Sequence, residues 1–226
     1  QVWRRADQPV AQHRASRSWM WGPRPYPAMN ERYTQAAQGT RQVQYFDKGR
    51  MELNNPQGDR ASRWFVTSGL LVVEMMRGRI QVGDEQFESR APADLPIAGD
   101  LDDPAAPTYA SFAPATDRYV GNRRGQPASE AIDRDGQVKS YTGAARSETR
   151  LVEYVEQTGH NIPQVFWQYL TASGVVYENG RYRSGTLFDW VFTMGYPIAE
   201  PYWVRVRVGG AEHDVLVQPF ERRVLT

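Results

Sequence analysis

The stretch QVQYFDKGRMEL at residues 42–53 decides how the chain is divided, because a weaker copy of it, LVQPFERRVLT, occupies residues 216–226. The match extends upstream to a glutamate and a tyrosine before each copy, namely Glu31 with Tyr33 and Glu200 with Tyr202. Letters shared in the same order predict one supersecondary unit that is used twice. Repeats of this kind usually bind or build rather than catalyse, so the motif points to architecture before activity.

Length and composition exclude several classes of protein. A chain of 226 residues with 40% hydrophobic residues can bury the core of one larger domain or of two small ones. The 27 basic and 26 acidic residues give a net charge of +1, so no overall field attracts nucleic acid or an anionic membrane. The longest apolar run, GLLVVEMM at residues 69–76, is too short to span a bilayer. We therefore expect no nucleic-acid partner and no membrane span.

Cysteine is absent from the sequence, which excludes disulfides, thiolate catalysis and thiolate metal sites. The chain starts at Gln1 instead of methionine, which favours removal of a secretory signal peptide, with a start chosen for recombinant expression as the alternative. The 15 prolines, 19 glycines and 12% aromatic residues are typical of a loop-rich domain that contains β-strands. We predict a secreted or cell-surface protein.

The pattern predicts a β-rich α+β fold in which two related hairpin-plus-helix repeats pack together, with long irregular connectors. Residues 1–18 are polar and basic with almost no apolar periodicity, which predicts an N-terminal arm that becomes ordered only against a partner surface. The first repeat covers residues 19–99, a connector with a short hairpin covers 100–149, and the second repeat covers 150–226. One compact domain that contains both repeats is the alternative.

The first repeat contains two predicted strand pairs and one helix. Residues 31–53 form a hairpin, and residues 79–99 form a second strand pair. The apolar run at 69–76 predicts a helix capped by Thr67 or Ser68, although a buried strand fits the same letters.

Turn signals organise the rest of the chain. An Asp-Gly pair predicts a short hairpin over residues 132–141, and an Asn-Gly pair predicts a second hairpin centred on 179–180. Helical spacing predicts a helix that begins near Pro163. The clearest hairpin is WVRVRVGGAEHDVLVQPF at 203–220. Its valines are expected to be buried and its arginines exposed: Val204, Val206 and Val208 against Arg205 and Arg207.

The second repeat resembles a repeat of secreted bacterial surface proteins. The motifs that carry the resemblance are TGHNIPQVFWQYL, GYPIAEPYW and VQPFERR, in that order between residues 150 and 226. The first repeat matches only in its later part, VQYFDKGRMEL, and lacks the Thr-Gly-His motif. Pro219 replaces the tyrosine of the motif, and Val224 stands where the first copy has Arg50. The family is loosely similar to LGFP cell-wall repeats and implies no agreed activity.

Candidate chemical groups are few. His160 is the best single candidate for a catalytic or metal role, but an imidazole that caps the turn before the next helix is the favoured interpretation. The aspartates near residues 100–103 and 133–135 lack the spaced ligands and closing glutamate of a calcium loop, so we interpret them as turn formers. Glu31 and Glu200 could form a glycosidase pair, yet equivalent positions of a repeat usually share a structural role. We predict no catalytic residue, no metal site and no cofactor.

Aromatic side chains are the remaining candidates for ligand or interface contacts, with burial in the core as the alternative. The possible ligand or interface residues are Trp19, Trp21, Tyr26, His160, Trp167, Trp190, Tyr202 and Trp203.

Two hypotheses about function follow. The first is a non-catalytic secreted structural or interaction module, which could self-assemble into a filament or surface layer through the N-terminal arm and an open sheet edge. The second is a secreted protein that binds or cleaves carbohydrate, such as cell-wall glycan. They differ in whether the tryptophans lie in the core or line a groove with two carboxylates.

Overall fold

A computed structural model describes residues 1–143 and 146–226 of the chain. The fold is mixed α+β and rich in strands, as the sequence predicts. The helices are α1 (Val2–Ala11), α2 (Leu71–Arg77), α3 (Tyr109–Phe112), α4 (Gln164–Leu170) and α5 (Trp190–Met194). The first strands are β1 (Met29–Arg32), β2 (Thr40–Phe46), β3 (Gly49–Leu53), β4 (Thr67–Ser68), β5 (Arg79–Gln81), β6 (Phe87–Ser89), β7 (Glu130–Ile132) and β8 (Val138–Ser140). The later strands are β9 (Leu151–Val155), β10 (His160–Pro163), β11 (Ser173–Glu178), β12 (Arg181–Thr186), β13 (Tyr202–Val208), β14 (Ala211–Pro219) and β15 (Val224–Leu225).

Two compact units share these elements, and each is built from three separate segments. Unit 1 comprises Gln1–Gly69, Gln81–Glu88 and Leu170–Thr193. Unit 2 comprises Leu70–Ile80, Ser89–Tyr169 and Met194–Thr226. This division differs from the predicted contiguous repeats, because each unit recruits partners from distant parts of the chain.

Unit 1 is organised around an antiparallel sheet in the order β1-β2-β3-β4. The predicted hairpin over residues 31–53 is present as β1 and β2, with β3 added to the other side of β2. Val43 in the central strand is fully buried, and the indole of Trp21 packs edge-on against Phe46 with ring centroids 5.6 Å apart. The antiparallel pair β11 and β12, joined by the predicted turn at Asn179, completes the unit.

The prediction that the N-terminal arm becomes ordered only against a partner is wrong. Residues 2–11 form helix α1, which packs against β11 inside unit 1. The buried carboxylate of Asp7 accepts hydrogen bonds from the backbone N–H groups of Met20 and Trp21, at 2.7 and 2.6 Å. The indole N–H of Trp3 donates to the carbonyl of Gly22 at 2.9 Å. The surface that orders the N-terminal segment therefore belongs to the same chain, whereas the sequence predicts that it belongs to a partner.

Unit 2 contains a five-stranded sheet in the order β15-β14-β13-β7-β8. The predicted hairpin of β13 and β14 is confirmed, with Val204 and Val206 buried and Arg205 exposed. Two residues depart from the prediction: Val208 stands at the hairpin end and is exposed, and Arg207 is partly buried instead of exposed. Strand β7 joins β13 in parallel, with Ala131 opposite Trp203, and brings the predicted hairpin of β7 and β8 to the sheet edge.

Part of the predicted connector at 100–149 contributes to the unit 2 core, so this segment is more than a connector. Phe112 and Ala106 are fully buried in the same apolar cluster as Tyr202. Short helix α3 starts with a capping box. The hydroxyl group of Thr108 accepts a hydrogen bond from the N–H of Ser111, and the hydroxyl group of Ser111 accepts one from the N–H of Thr108. The Ala- and Pro-rich composition hides this order, since its backbone groups are satisfied by turns and caps instead of long elements.

Helix α2 confirms the predicted helix over the apolar run, and Gly78 ends it in the left-handed conformation with φ of 61°. The predicted cap is wrong. Thr67 and Ser68 belong to strand β4, and Leu70 precedes the helix without a side-chain cap. The predicted strand pair that follows corresponds to β5 and β6.

The two copies of the opening motif make the same tight turn. Phe46 is opposite Gly49 across β2 and β3, and the N–H of Phe220 donates to the carbonyl of Arg223 at 2.8 Å. Both phenylalanines are buried. The strands upstream of the two turns pair in different registers. Val43 is paired with Met29, whereas the corresponding Val217 of β14 is paired with Tyr202. The likeness is therefore seen at the turn and not at the predicted Glu–Tyr positions.

Candidate functional site

A surface cleft of about 410 Å³ lies in unit 2 and is lined by residues of the neighbouring strands β8, β7, β13 and β14 and by Ala105 and Pro107. Its volume falls within the range of small-molecule sites, about 300–1,000 Å³. We treat this cleft as the candidate site.

The turn of the edge hairpin positions one wall of the cleft. The carboxylate of Asp133 accepts hydrogen bonds from the backbone N–H groups of Asp135 and Gln137, at 3.1 and 2.9 Å. The N–H of Tyr141 donates to the carbonyl of Ser129 at 2.8 Å, which continues the pairing of β7 with β8. The Asp-Gly signal in the sequence therefore fixes where the side chains of β8 project.

An aromatic pair forms the other wall. The ring of Tyr141 stacks on the indole of Trp203, with centroids 4.5 Å apart and planes 11° from parallel. The indole N–H of Trp203 donates to the carbonyl of Ala128 at 2.8 Å, and the phenol O–H of Tyr141 donates to Asp214 at 3.1 Å. Burial, and then the hydrogen bond to Asp214, raise the pKa of Tyr141 above its ordinary value. Both rings are thus held in place.

A glycine lets the chain pass close to this stack. A β-carbon at Gly143 would overlap the phenol ring of Tyr141. Any larger residue here must displace the ring or the loop.

The charged side chains of the cleft are paired with opposite charges. Arg205 binds Asp214 at 3.0 Å and Glu212 at 2.8 Å, and these carboxylates raise the pKa of its guanidinium. Lys139 binds Asp133, which lowers the pKa of that carboxyl group. A third cation follows the same pattern, since Arg134 of the lining binds Asp94 at 2.8 Å.

Three uncharged side chains of the cleft remain available for hydrogen bonds. Within residues 1–143 and 146–226, no hydrogen bond engages the side chains of Gln137, Ser140 or Thr142. The cleft therefore combines an aromatic wall, compensated charges and free amide and hydroxyl groups.

Only one of the sequence-predicted site residues lines the cleft, namely Trp203. Trp21 and Tyr202 are buried in the cores of their own units, and Tyr26 is exposed outside the cleft. The partly buried members of the predicted set are Trp19, Trp167 and Trp190. The core interpretation therefore holds for Trp21 and Tyr202, and also for Trp203, which is 6% exposed although it lines the cleft.

Trp64 is another tryptophan for which the sequence allows either burial in the core or a place in a groove. It is 54% exposed. On the surface of unit 1 its ring lies 6.3 Å from that of Phe192, and the guanidinium of Arg63 stands over it at 4.6 Å.

His160 belongs to a buried polar network that joins β10 to the loop before β13 and to β14. Its Nδ1 lies 3.4 Å from the carboxylate of Glu200, which accepts a hydrogen bond from the N–H of Asn161 at 2.8 Å. The amide of Gln218 donates to the carbonyls of Asn161 and Ala199, at 2.8 and 3.1 Å. All of these side chains are buried, so they support the fold and do not face a substrate.

The acidic clusters form local turns, as predicted: the carboxylate of Asp103 accepts a hydrogen bond from the N–H of Ala105 at 3.0 Å, and that of Asp133 accepts one from the N–H of Asp135 at 3.1 Å. The first cluster also binds backbone groups that are distant in the sequence. The carboxylate of Asp100 accepts hydrogen bonds from the N–H groups of Gly209 and Gly210, at 2.9 and 2.8 Å. Asp103 accepts one from the N–H of Arg207 at 2.8 Å. Among the described residues, no group of three or more histidine or carboxylate side chains could hold a metal ion.

Sequence reasoning missed Tyr141 and the polar side chains of β8. The signal available was the predicted hairpin over 132–141, which is confirmed. Its contact with Trp203 joins distant parts of the chain, and neither composition nor periodicity encodes such a pairing.

Comparisons with known proteins add no assignment: no protein-family model, curated protein or solved structure matches this chain. In the part of the chain that the structure describes, no helix is both long enough and apolar enough to cross a membrane.

Proposed function

We propose that the chain is a non-catalytic binding module of the cell exterior, which attaches to a surface polymer through the cleft of unit 2. The observation that carries the proposal is the stacked pair of Tyr141 and Trp203, in which a buried indole holds the partly exposed phenol ring in a cleft that mixes polar and apolar side chains. The resemblance of residues 150–226 to repeats of secreted surface proteins supports the extracellular setting.

The placement of the acid–base groups favours binding over catalysis. A general acid or base must reach the substrate. His160 and Glu200 are buried in their own network, and the cleft carboxylates Asp133 and Asp214 are engaged by Lys139 and Arg205. A group already committed to a structural partner is a poor proton carrier, which supports a role without turnover.

Self-association into a filament or surface layer stays a prediction. The segment expected to reach a neighbour is helix α1, packed in its own unit. Both edge strands of the five-stranded sheet, β15 and β8, are short, and short edges disfavour pairing with another chain. Attachment through the cleft is therefore preferred.

A pelleting experiment tests the proposal. Purified chain is mixed with insoluble bacterial cell walls, and the bound fraction is measured after centrifugation. We expect saturable binding that Tyr141→Ala weakens about tenfold or more, since the stacked ring contributes contact area worth about 1–2 kcal/mol. Tyr141→Phe keeps the ring and should retain most of the affinity.

Tyr26→Ala is the matched control, because Tyr26 is an exposed tyrosine outside the cleft. Circular dichroism verifies that each variant is folded. Equal binding by Tyr141→Ala and Tyr26→Ala would contradict attachment through the cleft. Release of soluble wall fragments by the wild-type chain would contradict the non-catalytic role.

A further inference from the structure

The cleft of unit 2 also indicates the chemistry of its ligand, on the premise of the proposed binding function. We infer that it takes a neutral, hydroxyl-rich sugar chain. A ring of the sugar lies against the aromatic wall, and its hydroxyl groups bond to the uncharged side chains at the mouth of the edge hairpin.

Because the charged side chains of the cleft are already paired with opposite charges, we expect no strong preference for an ionic ligand. The lining cations Arg134, Lys139 and Arg205 each have a carboxylate partner. An anionic polymer would have to displace these partners and be desolvated, whereas a neutral ligand leaves the pairs intact.

The uncharged side chains match a polyhydroxylated ligand. Gln137 offers an amide donor and an amide acceptor, while Ser140 and Thr142 each offer a hydroxyl group that both donates and accepts. A sugar hydroxyl has the same dual character, so each contact can form in either direction. Because no hydrogen bond within the described chain engages these side chains, binding need not break an internal one.

The aromatic wall supplies the apolar contact. Trp203 lines the cleft but is buried, with 6% of its surface exposed, so the partly exposed ring of Tyr141 is the part of the pair that a ligand can reach. The stacking on Trp203 holds this phenol ring in one orientation. The C–H face of a sugar ring packs on such a surface, and a held ring loses little entropy on binding.

A peptide that adds to the sheet edge is the less favoured occupant. The edge strand β8 has only three residues, Val138–Ser140, and carries the charged Lys139 in its centre. Short, charged edges are a common protection against strand addition.

The test is a titration of the full chain followed by amide chemical shifts in NMR. The neutral probes are cellotetraose, maltotetraose, mannotetraose and the tetramer of N-acetylglucosamine; the comparison probes are tetragalacturonate and an extended octapeptide. We expect at least one neutral tetrasaccharide to shift the amides of residues 137–142. The double variant Gln137→Ala/Thr142→Ala should weaken its binding about tenfold, as expected from the loss of two neutral hydrogen bonds.

The matched control is Gln57→Ala/Thr40→Ala, which makes the same two changes at exposed positions outside the cleft. It should bind like the wild type. The inference is overturned if no neutral probe shifts these amides, if tetragalacturonate or the peptide binds there instead, or if both double variants bind equally.

Failure of this inference is distinguishable from failure of the proposed function. Pelleting with cell walls that depends on Tyr141 but is competed only by tetragalacturonate would leave the binding function standing and reject the neutral sugar. Loss of all pelleting would reject the function itself.

Discussion

Glu52 shows how single residues stabilise unit 1. Its buried carboxylate accepts hydrogen bonds from Arg41 at 3.1 Å and from Arg50 at 2.8 Å. Arg41 also stands over the ring of Tyr33 at 4.9 Å. Burial, and then a hydrogen bond to Asp84, raise the pKa of Tyr33 to about 12. Glu52 therefore contributes negative charge to two guanidinium groups that have almost no access to water, and Glu31 lies 3.5 Å from Arg41 as a second, more distant partner.

We predict that Glu52→Gln destabilises the protein by about 3–5 kcal/mol, because it leaves two buried cations without their main partner. Urea denaturation followed by tryptophan fluorescence measures the loss. The matched change is Glu88→Gln, which removes the carboxylate of the exposed Arg32–Glu88 pair and should cost less than about 1 kcal/mol. Similar losses for the two variants would refute a central role for Glu52.

Helix α1 is the element whose role the sequence hides most. It has a proline inside, no side-chain cap and no acidic residue in its first turn, so local signals do not predict it. Its stability comes from tertiary contacts, above all the bonds that Asp7 accepts from the segment after the helix.

We expect Asp7→Ala to lower the free energy of unfolding by about 3 kcal/mol, since buried N–H groups lose their acceptor. Asp7→Asn keeps one acceptor oxygen and should lose less. Arg4→Ala, an exposed change on the same helix, should stay within about 0.5 kcal/mol of the wild type. Thermal and urea denaturation provide the comparison, and an Asp7→Ala variant as stable as Arg4→Ala would show that the helix docks without this carboxylate.

Local turn chemistry explains what was predictable from the sequence. Asn179 adopts φ of 51° before Gly180, and Gly209 and Gly210 close the hairpin of β13 and β14, so these turns follow from residue type alone. Helix α2 was predictable from its apolar run and from Gly78. The hydrogen bonds that Asp7 accepts from the segment after helix α1 were not predictable, because they join chain segments that meet only in the folded state.

The candidate site follows the same rule. The hairpin that carries Tyr141 was predictable, and Trp203 was named among the aromatic candidates. Their stacking was not predictable, because it depends on β7 joining β13 in parallel. Parallel pairing needs a crossover connection and leaves no short turn signal in the sequence.

At the scale of the whole molecule, neither unit is a contiguous piece of chain. The apolar core of unit 2 combines Val72 and Met76 of α2 with Phe112, Ile132 and the valines of β13. The segment Leu170–Thr193 belongs to unit 1, where β11 packs against α1.

We predict that residues 150–226 alone do not fold cooperatively, although they span the whole of the second repeat that the sequence predicts. This fragment lacks β7, α2 and α3 for the unit 2 core, and it lacks α1 as the partner of β11. Amide dispersion in NMR and a thermal melt followed by circular dichroism, each compared with the full chain, provide the test. A dispersed spectrum with a sharp transition would show that the repeat is an independent unit.

The interleaving of the two units also has a consequence for the order of events during synthesis. The units consist of six alternating segments, so the chain passes between them five times. Unit 1 lacks β11 and β12 until Thr186 has left the ribosome, and unit 2 lacks β14 until Pro219 has left it. Neither core can therefore form while only the earlier segments have been made, and contacts between distant segments make folding slow. Such a chain spends a long interval without a finished core, when holdase chaperones have the most time to bind it.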